Sequence, residues 1–127
     1  MGKIVSHKDL IVYQRAFEVA MEIYVLTKSF PKEETYSLID QVRRSSRSVA
    51  ANLAEAFRRR HYPKMFISKI IDCESEAAET RVWIQFCVEC RYVGKPAADK
   101  LNRSYDEILR MLTHMKAHPD QWAPFPV

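Results

Sequence analysis

Two pairs of residues have the spacing of reactive or metal-binding motifs, namely Cys87 with Cys90 and His114 with His118. Redox dithiols place their first cysteine at a helix N-terminus, whose dipole favours the thiolate, whereas Cys87-Val88-Glu89-Cys90 lies in the last turns of a predicted helix. A structural zinc site needs four ligands. No second Cys-x-x-Cys pair exists to complete one, and His114 and His118 stand alone at the C-terminus of another predicted helix. We therefore interpret these cysteines, and Cys73, as core or near-core residues and predict no metal site.

Carboxylates for acid–base chemistry would have to come from Glu55, Glu76 and Glu79. No Glu-x-x-His motif of the di-iron bundles is present, and two glycines are too few for a glycine-rich phosphate loop. We favour the interpretation that these glutamates are salt-bridge or hydrogen-bond partners of Arg59 and Arg81. The sequence therefore predicts no catalytic residue, no cofactor and no enzymatic activity.

Basic side chains are concentrated between Asp40 and Lys64, where seven Lys/Arg face two acids. Four arginines share an arc of about 100° on a helical projection, and three further cations lie near the helix end. The predicted nucleic-acid-binding set is Arg43, Arg44, Arg47, Arg58, Arg59, Arg60 and Lys64. No aromatic residues are interleaved with the arginines, so contact would be mostly to phosphates, without strong sequence preference. The alternative is a solvated basic face that keeps the protein soluble.

A second stripe on the same helix consists of side chains that can hydrogen-bond and borders the apolar face. Its members are Gln41, Ser45, Ser48, Asn52 and Glu55. Neighbouring alanines permit close helix approach, with buried polar groups satisfied across a subunit boundary. We predict a subunit interface nearby; the alternative is a solvated flank.

The elements that must position these residues are helical, because strand-like alternation is hard to find in the 127 residues. Apolar periodicity and breaker residues predict an all-α, antiparallel up-down-up-down four-helix bundle. The predicted helices cover about 7–29, 35–60, 63–92 and 96–117. The bundle occupies residues 1–118 as one domain, and residues 119–127 form a proline-rich tail that either docks on an apolar groove or frays.

Cap residues set the predicted boundaries. Ser6 and Thr35 are the expected N-caps of the first two helices, and Pro63 suits the first turn of the third. Gly94 is the expected residue just past the third helix, with Pro96 opening the fourth.

Apolar arcs on the first and third helices are wider than one partner helix can cover, whereas the fourth helix has a narrow seam. We therefore predict a homo-oligomer.

The net charge of the chain is +4, which permits a polyanionic partner. No signal-like or membrane-spanning run is visible, and three cysteines do not suggest a disulfide framework, so we expect a cytoplasmic protein without a membrane partner.

Several segments together resemble the four-helix bundle proteins encoded in intervening sequences of bacterial 23S ribosomal RNA genes, over about residues 7–116. They are Asp9-Leu10, Tyr24, Phe30-Pro31, Glu34, Gln41-Val42-Arg43-Arg44, Ser48, Asn52, Ala54-Glu55-Ala56-Phe57-Arg58-Arg59, Glu76-Ala77-Ala78-Glu79-Thr80 and Trp83. One departure is Ala56, where the family usually has glycine; its methyl group slightly alters helix approach.

The resemblance implies rings, typically homopentamers, and a role that is unknown for most members. A related branch comprises accessory proteins of diversity-generating retroelements, which bind nucleic acid and a reverse transcriptase. Two hypotheses follow. One is a ring-forming accessory protein that binds nucleic acid, with RNA as the expected ligand rather than DNA. The other is a structural or protein-interaction module whose basic face meets an acidic protein such as a reverse transcriptase.

Overall fold

The computed structural model describes residues 4–122 and contains four long helices and no strand within that range. The helices are α1 (Ile11–Thr27), α2 (Leu38–Arg58), α3 (Pro63–Glu89) and α4 (Lys95–Ala117). Three short 3-10 turns lie at His7–Asp9, Lys32–Glu34 and Pro119–Gln121. The predicted all-α four-helix bundle is confirmed.

Helix packing places α1 and α3 at opposite corners of the bundle. Helix α2 packs against α1 and α3, and α4 packs against the same two helices. Within residues 4–122, no Cα atom of α1 lies within 8 Å of a Cα atom of α3. Short links join helices that pack side by side, which is the arrangement of an antiparallel bundle.

The core is formed by all four helices. Phe66 and Ile70 from α3 and Tyr105 from α4 are among its largest fully buried side chains. Helix α4 buries one narrow row of side chains, consisting of Ala98, Leu101, Tyr105, Ile108, Leu112 and Met115. The predicted narrow seam of the fourth helix is therefore present, and its outer face is polar.

The first helix begins later than predicted because its cap residues serve a 3-10 turn. Ser6 accepts a hydrogen bond from the backbone N–H of Lys8, and the Asp9 carboxylate accepts from the N–H of Ser6, which completes a capping box. Leu10 then adopts an extended conformation, and α1 starts at Ile11. The predicted start at His7 is wrong for this reason.

The predicted N-cap of the second helix is also wrong. Thr35 donates its hydroxyl hydrogen to the carbonyl of Lys32 at 2.7 Å and so belongs to the preceding 3-10 turn. Helix α2 begins at Leu38, and Ser37 occupies the cap position without a side-chain hydrogen bond. The carboxylate of Glu34 accepts from the N–H of Leu38 at 3.4 Å and partly replaces the missing cap.

The end of α3 differs from the prediction in the residue that reverses the chain. Arg91, not Gly94, has the left-handed conformation, with φ of 65°. The N–H of Arg91 donates to Val88 and that of Tyr92 donates to Cys87, both at 2.9 Å, which is the Schellman arrangement. Gly94 has an ordinary φ of −72° and precedes α4, and Pro96 lies in the first turn of α4.

Replacing Arg91 with glycine is expected to stabilise the bundle. A residue with a side chain pays about 1–2 kcal/mol to adopt the left-handed conformation, and glycine avoids this strain. Part of the stabilisation is lost because glycine has a larger conformational entropy in the unfolded state. Urea unfolding of Arg91→Gly should therefore show a gain of about 0.5–1 kcal/mol. A loss of stability would mean that the arginine side chain makes a favourable contact which outweighs the backbone strain.

Candidate nucleic-acid interface

The arginine face of α2 is divided among three directions. Arg43 lies against α1, Arg44 lies against α3, and Arg47 and Arg58 lie on the exposed outer face. Within residues 4–122, neither Arg47 nor Arg58 makes a side-chain hydrogen bond or ion pair. The four arginines therefore share a helical face without sharing a role.

Arg43 connects the start of α2 to the end of α1. Its Nε donates to the Thr27 hydroxyl at 2.8 Å, and its Nη2 donates to the carbonyl of Tyr24 at 3.4 Å. Thr27 is buried, and its own hydroxyl donates to Ile23 at 2.8 Å. Part of the Arg43 guanidinium is thus committed to the fold, because it satisfies a carbonyl in the last turn of α1.

Arg44 has an acidic partner. Its Nη2 lies 3.2 Å from the carboxylate of Glu79 on α3 and 3.3 Å from the side-chain oxygen of Gln41. Both charged side chains are substantially exposed, so this pair contributes little to stability. It does reduce the net positive charge that Arg44 presents to a ligand.

The cations at the end of α2 are also in different environments. Arg60 folds back, with its guanidinium 3.9 Å above the Phe57 ring and one N–H donating to the Phe57 carbonyl at 2.8 Å. Arg59 is half-buried, and Lys64 is exposed on the first turn of α3. Lys64 thus adds to the outer basic face, whereas Arg60 mainly covers the end of the helix.

The structure adds two residues to this face that the sequence interpretation missed as a site. The Tyr24 ring lies beside three cationic groups: the Lys28 Nζ is 4.8 Å from its centroid, the Arg43 Cζ is 4.7 Å away and the Arg47 Cζ is 5.6 Å away. Lys28 follows Tyr24 by four residues, about one helical turn, so this pair could have been predicted from the sequence. Its proximity to Arg43 and Arg47 depends on how α1 packs on α2.

The polar stripe faces α3 and finds its partners within the chain. Ser45 and Thr80 are fully buried, and their hydroxyl oxygens lie 2.8 Å apart. Asn52 donates to the carbonyl of Ser48 at 2.9 Å, and Gln41 contacts Arg44. These bonds satisfy the stripe inside one bundle, and the predicted subunit interface beside it stays a prediction.

Lys69 of α3 is the main partner at the far end of the stripe. Its Nζ donates to the Glu55 carboxylate at 2.8 Å and to the Asn52 side chain at 3.3 Å. The hydrogen bond from Lys69 lowers the pKa of Glu55 and raises that of Lys69 itself.

Glu55 and Glu79 therefore form salt bridges as predicted, but with Lys69 and Arg44. The predicted partners Arg59 and Arg81 are wrong, since neither pairs with these glutamates within residues 4–122 and Arg81 pairs with Asp106 at 2.7 Å.

Glu76 and Glu79 of α3 are neighbours in different environments. Burial raises the pKa of Glu76, and the nearby Glu79 raises it further. One carboxylate oxygen of Glu76 is buried without a hydrogen-bond partner in the described chain. Glu79 is engaged by Arg44.

Two cysteines are core residues and the third is not. Cys73 and Cys87 are buried, and burial raises the pKa of each thiol to about 12. Cys90 is exposed, so its predicted near-core position is wrong; it follows the last residue of α3, on a side that no other helix covers. Across residues 4–122, no group of three His, Cys, Asp or Glu side chains is arranged to hold a metal ion.

Large apolar side chains are exposed in one row on α1 and one row on α3. The α1 row is Phe17, Met21 and Val25, with exposed fractions of 51%, 45% and 62%. The α3 row is Ile71, Val82 and Phe86, at 45%, 47% and 51%. The wide apolar arcs predicted for these helices thus extend past what the bundle itself covers.

An apolar groove of about 730 Å³ lies between the start of α1 and the end of α4. Leu10, Met111, Met115 and Trp122 contribute to its lining. The first residues of the predicted tail form the turn Pro119–Gln121, and Trp122 is half-buried at the groove. Phe125 and the remainder of the tail lie outside the described residues.

None of the helices within residues 4–122 has the length and apolar character needed to cross a bilayer.

Comparison with known proteins gives a matching family and a similar solved structure. The model of the family described as 23S rRNA-intervening sequence protein matches residues 8–114. A crystal structure of a protein of unknown function, from the S23 ribosomal protein family of Bacteroides thetaiotaomicron, has a TM-score of 0.76 and 26% sequence identity. The match covers 84% of this chain and 96% of that one. No curated protein matches the chain.

Proposed function

Because this chain belongs to the family of 23S rRNA-intervening sequence proteins, we propose that it is a non-enzymatic, ring-forming bundle that binds RNA through the outer face of α2. The similar solved structure has no assigned function, so the proposal depends on the residues of this chain. It concerns binding to the phosphate backbone, since the face has cations without base-reading groups.

The observation that carries the proposal is the set of unpaired cations along α2. Arg47, Arg58 and Lys64 are exposed, and none of them takes part in an ion pair among the described residues. Eleven residues separate the two arginines, a rise of about 16 Å, which spans several phosphates of a single strand. Such a strip fits a nucleic-acid backbone better than a single carboxylate ligand.

The two exposed apolar rows support assembly into a ring. The rows differ in composition and lie on α1 and α3, which occupy opposite corners of the bundle. When the α1 row of one subunit meets the α3 row of the next, the contact is heterologous, and heterologous contacts form a ring when the rotation between successive subunits closes. The number five comes only from the resemblance to ring-forming relatives. A ring would repeat the basic strip and make weak phosphate contacts multivalent.

Loss of the unpaired cations should weaken RNA binding. We expect Arg47→Gln/Arg58→Gln/Lys64→Gln to flatten the salt dependence, because each lost phosphate contact removes about 0.7 from the slope for a single strand. Fluorescence anisotropy with a mixed-sequence RNA, measured over a range of salt, checks this. Arg43 is left in place because it connects α1 and α2.

The matched control is Lys100→Gln/Arg103→Gln/Arg110→Gln on α4, which removes the same charge from exposed positions of another helix. It should keep most of the salt slope. An absence of wild-type RNA binding even at ~50 mM salt would refute the proposal. If an acidic protein bound this face instead of RNA, the protein-interaction hypothesis would replace it.

A further inference from the structure

We propose that Lys28 and Arg47, with the outer edge of the Arg43 guanidinium, form a phosphate-binding site on the ring of Tyr24. The inference rests on the RNA-binding role proposed above, in which this site would hold one backbone phosphodiester. It names a particular position on the basic face and includes Lys28, a residue outside α2.

The geometry brings three cations from two helices to one aromatic ring. Lys28, Arg43 and Arg47 lie within 5.6 Å of the Tyr24 centroid. Because all three lie close to the same ring, any two of them are at most about 10 Å apart, a distance comparable to the Debye length of about 8 Å at physiological salt, so mobile ions screen their mutual repulsion only in part. The ring face attracts each cation, but this attraction does not neutralise their charge.

No acidic side chain compensates the cluster. The ion pairs of the described chain use Arg15, Arg44, Lys69, Arg81 and Lys116 as their cations, and none includes Lys28, Arg43 or Arg47. The Lys28 ammonium and the Arg47 guanidinium also donate to no side chain or carbonyl of residues 4–122. The cluster therefore holds several strong donors without an acceptor.

Hydrogen bonding within the fold accounts for only one of the three cations. The cluster lies at the C-terminus of α1, where the helix dipole favours positive charge. Arg43 already fulfils this role by donating to the Tyr24 carbonyl and the Thr27 hydroxyl. The Nη1 of Arg43, the ammonium of Lys28 and the guanidinium of Arg47 remain available for a further acceptor.

A phosphodiester suits these donors. Its two unesterified oxygens can accept from an ammonium and a guanidinium at the same time, and arginine binds phosphate in a bidentate manner. Cations from both helices already lie over the Tyr24 ring, so a nucleobase would compete with them for the ring face. The site is therefore expected to select phosphate and to ignore base sequence.

The test compares two double variants that remove equal charge. Lys28→Gln/Arg47→Gln removes two of the three cations of the cluster. Arg58→Gln/Lys64→Gln removes two cations of the same face outside the cluster. Both variants change exposed residues, and circular dichroism should show unchanged folding. With a mixed-sequence single-stranded RNA, the cluster variant should bind about tenfold more weakly, while the comparison variant should lose about threefold or less. Equal losses would overturn the site and leave general RNA binding intact.

Titration with inorganic phosphate separates failure of the site from failure of the function. The NMR signals of the Tyr24 ring and the Arg47 side chain should shift in the wild type and not in Lys28→Gln/Arg47→Gln. Shifts with phosphate and no binding of RNA would refute the RNA role and identify a small phosphate as the ligand. Unshifted signals at millimolar phosphate, together with equal losses in the two RNA-binding variants, would overturn the site itself.

Discussion

Val82→Glu/Phe86→Glu is expected to prevent the proposed assembly and leave a folded monomer. Both residues belong to the exposed α3 row, with exposed fractions of 47% and 51%, so they contribute little to the core of the bundle. In an assembled ring they would be buried against the α1 row of the next subunit. Two carboxylates there would lose their hydration without gaining partners, which costs several kcal/mol. The subunit dissociation constant should rise at least about a hundredfold.

Light scattering across a range of protein concentrations measures this change. Glutamate is a good helix former, so circular dichroism of the variant should match the wild type. The control is Ala97→Glu/Ala117→Glu, which adds the same charge to exposed positions of α4, whose outer face is polar. It should leave the assembly unchanged. A wild type that stays monomeric at micromolar concentration would contradict the ring, and a dimer would keep assembly but discard the ring.

A negative charge introduced into each row on separate chains would test which surfaces meet. Helix α1 presents Phe17 and Met21 at the corner opposite α3. In a heterologous ring, Met21→Glu on one chain and Val82→Glu on another block the two ends of the same contact. Mixing the two variants should then restore only one contact per pair of chains and yield dimers. A two-fold interface formed by one row alone would not give this result.

The positions of the helices could be predicted from the sequence, because the spacing of apolar residues, the prolines and the helix-forming residues determine helix formation through interactions within a few turns of the chain. Pro63 and the narrow row containing Leu101 and Tyr105 lie where local rules place them. The helix ends were less predictable, because a polar side chain near a helix start has several possible acceptors and donors. Thr35 bonded backward to Lys32, and Arg91 took the conformation expected of glycine.

The candidate site was predictable only as a set of charges on one helical face. Whether an arginine is available to a ligand depends on neighbours that are distant in sequence. Such neighbours engage Arg43 and Arg44 but leave Arg47 without a hydrogen-bond or ion-pair partner in the described chain. The partner of Arg44, Glu79, is 35 residues away along the chain, and the partner of Arg43, Thr27, is 16 residues away. Helical periodicity carries no information about such pairs. For the same reason Lys28 could not be assigned to the basic face without α1 in place.

Tyr105→Ala is expected to destabilise the bundle strongly, while Tyr105→Phe should be nearly neutral. Tyr105 is fully buried on α4, and its truncation leaves a cavity that costs about 3–5 kcal/mol, a large part of the 5–15 kcal/mol typical of a domain. Its hydroxyl has no hydrogen-bond partner in the described chain. Burial raises the pKa of Tyr105, and the nearby Thr80 hydroxyl acts in the opposite direction.

The two substitutions separate packing from hydrogen bonding at one position. Because the buried hydroxyl is unsatisfied, its removal should change stability by less than about 1 kcal/mol, and the ring of phenylalanine fills the same space. Urea unfolding at one fixed protein concentration is the measurement, since assembly adds a concentration-dependent term. Tyr36→Ala is the control, because Tyr36 is 95% exposed and its loss should cost less than about 0.5 kcal/mol. If Tyr105→Phe cost 2 kcal/mol or more, the hydroxyl would be bonded in solution, through Thr80 or a buried water, and the polar contact between Ser45 and Thr80 would extend to α4.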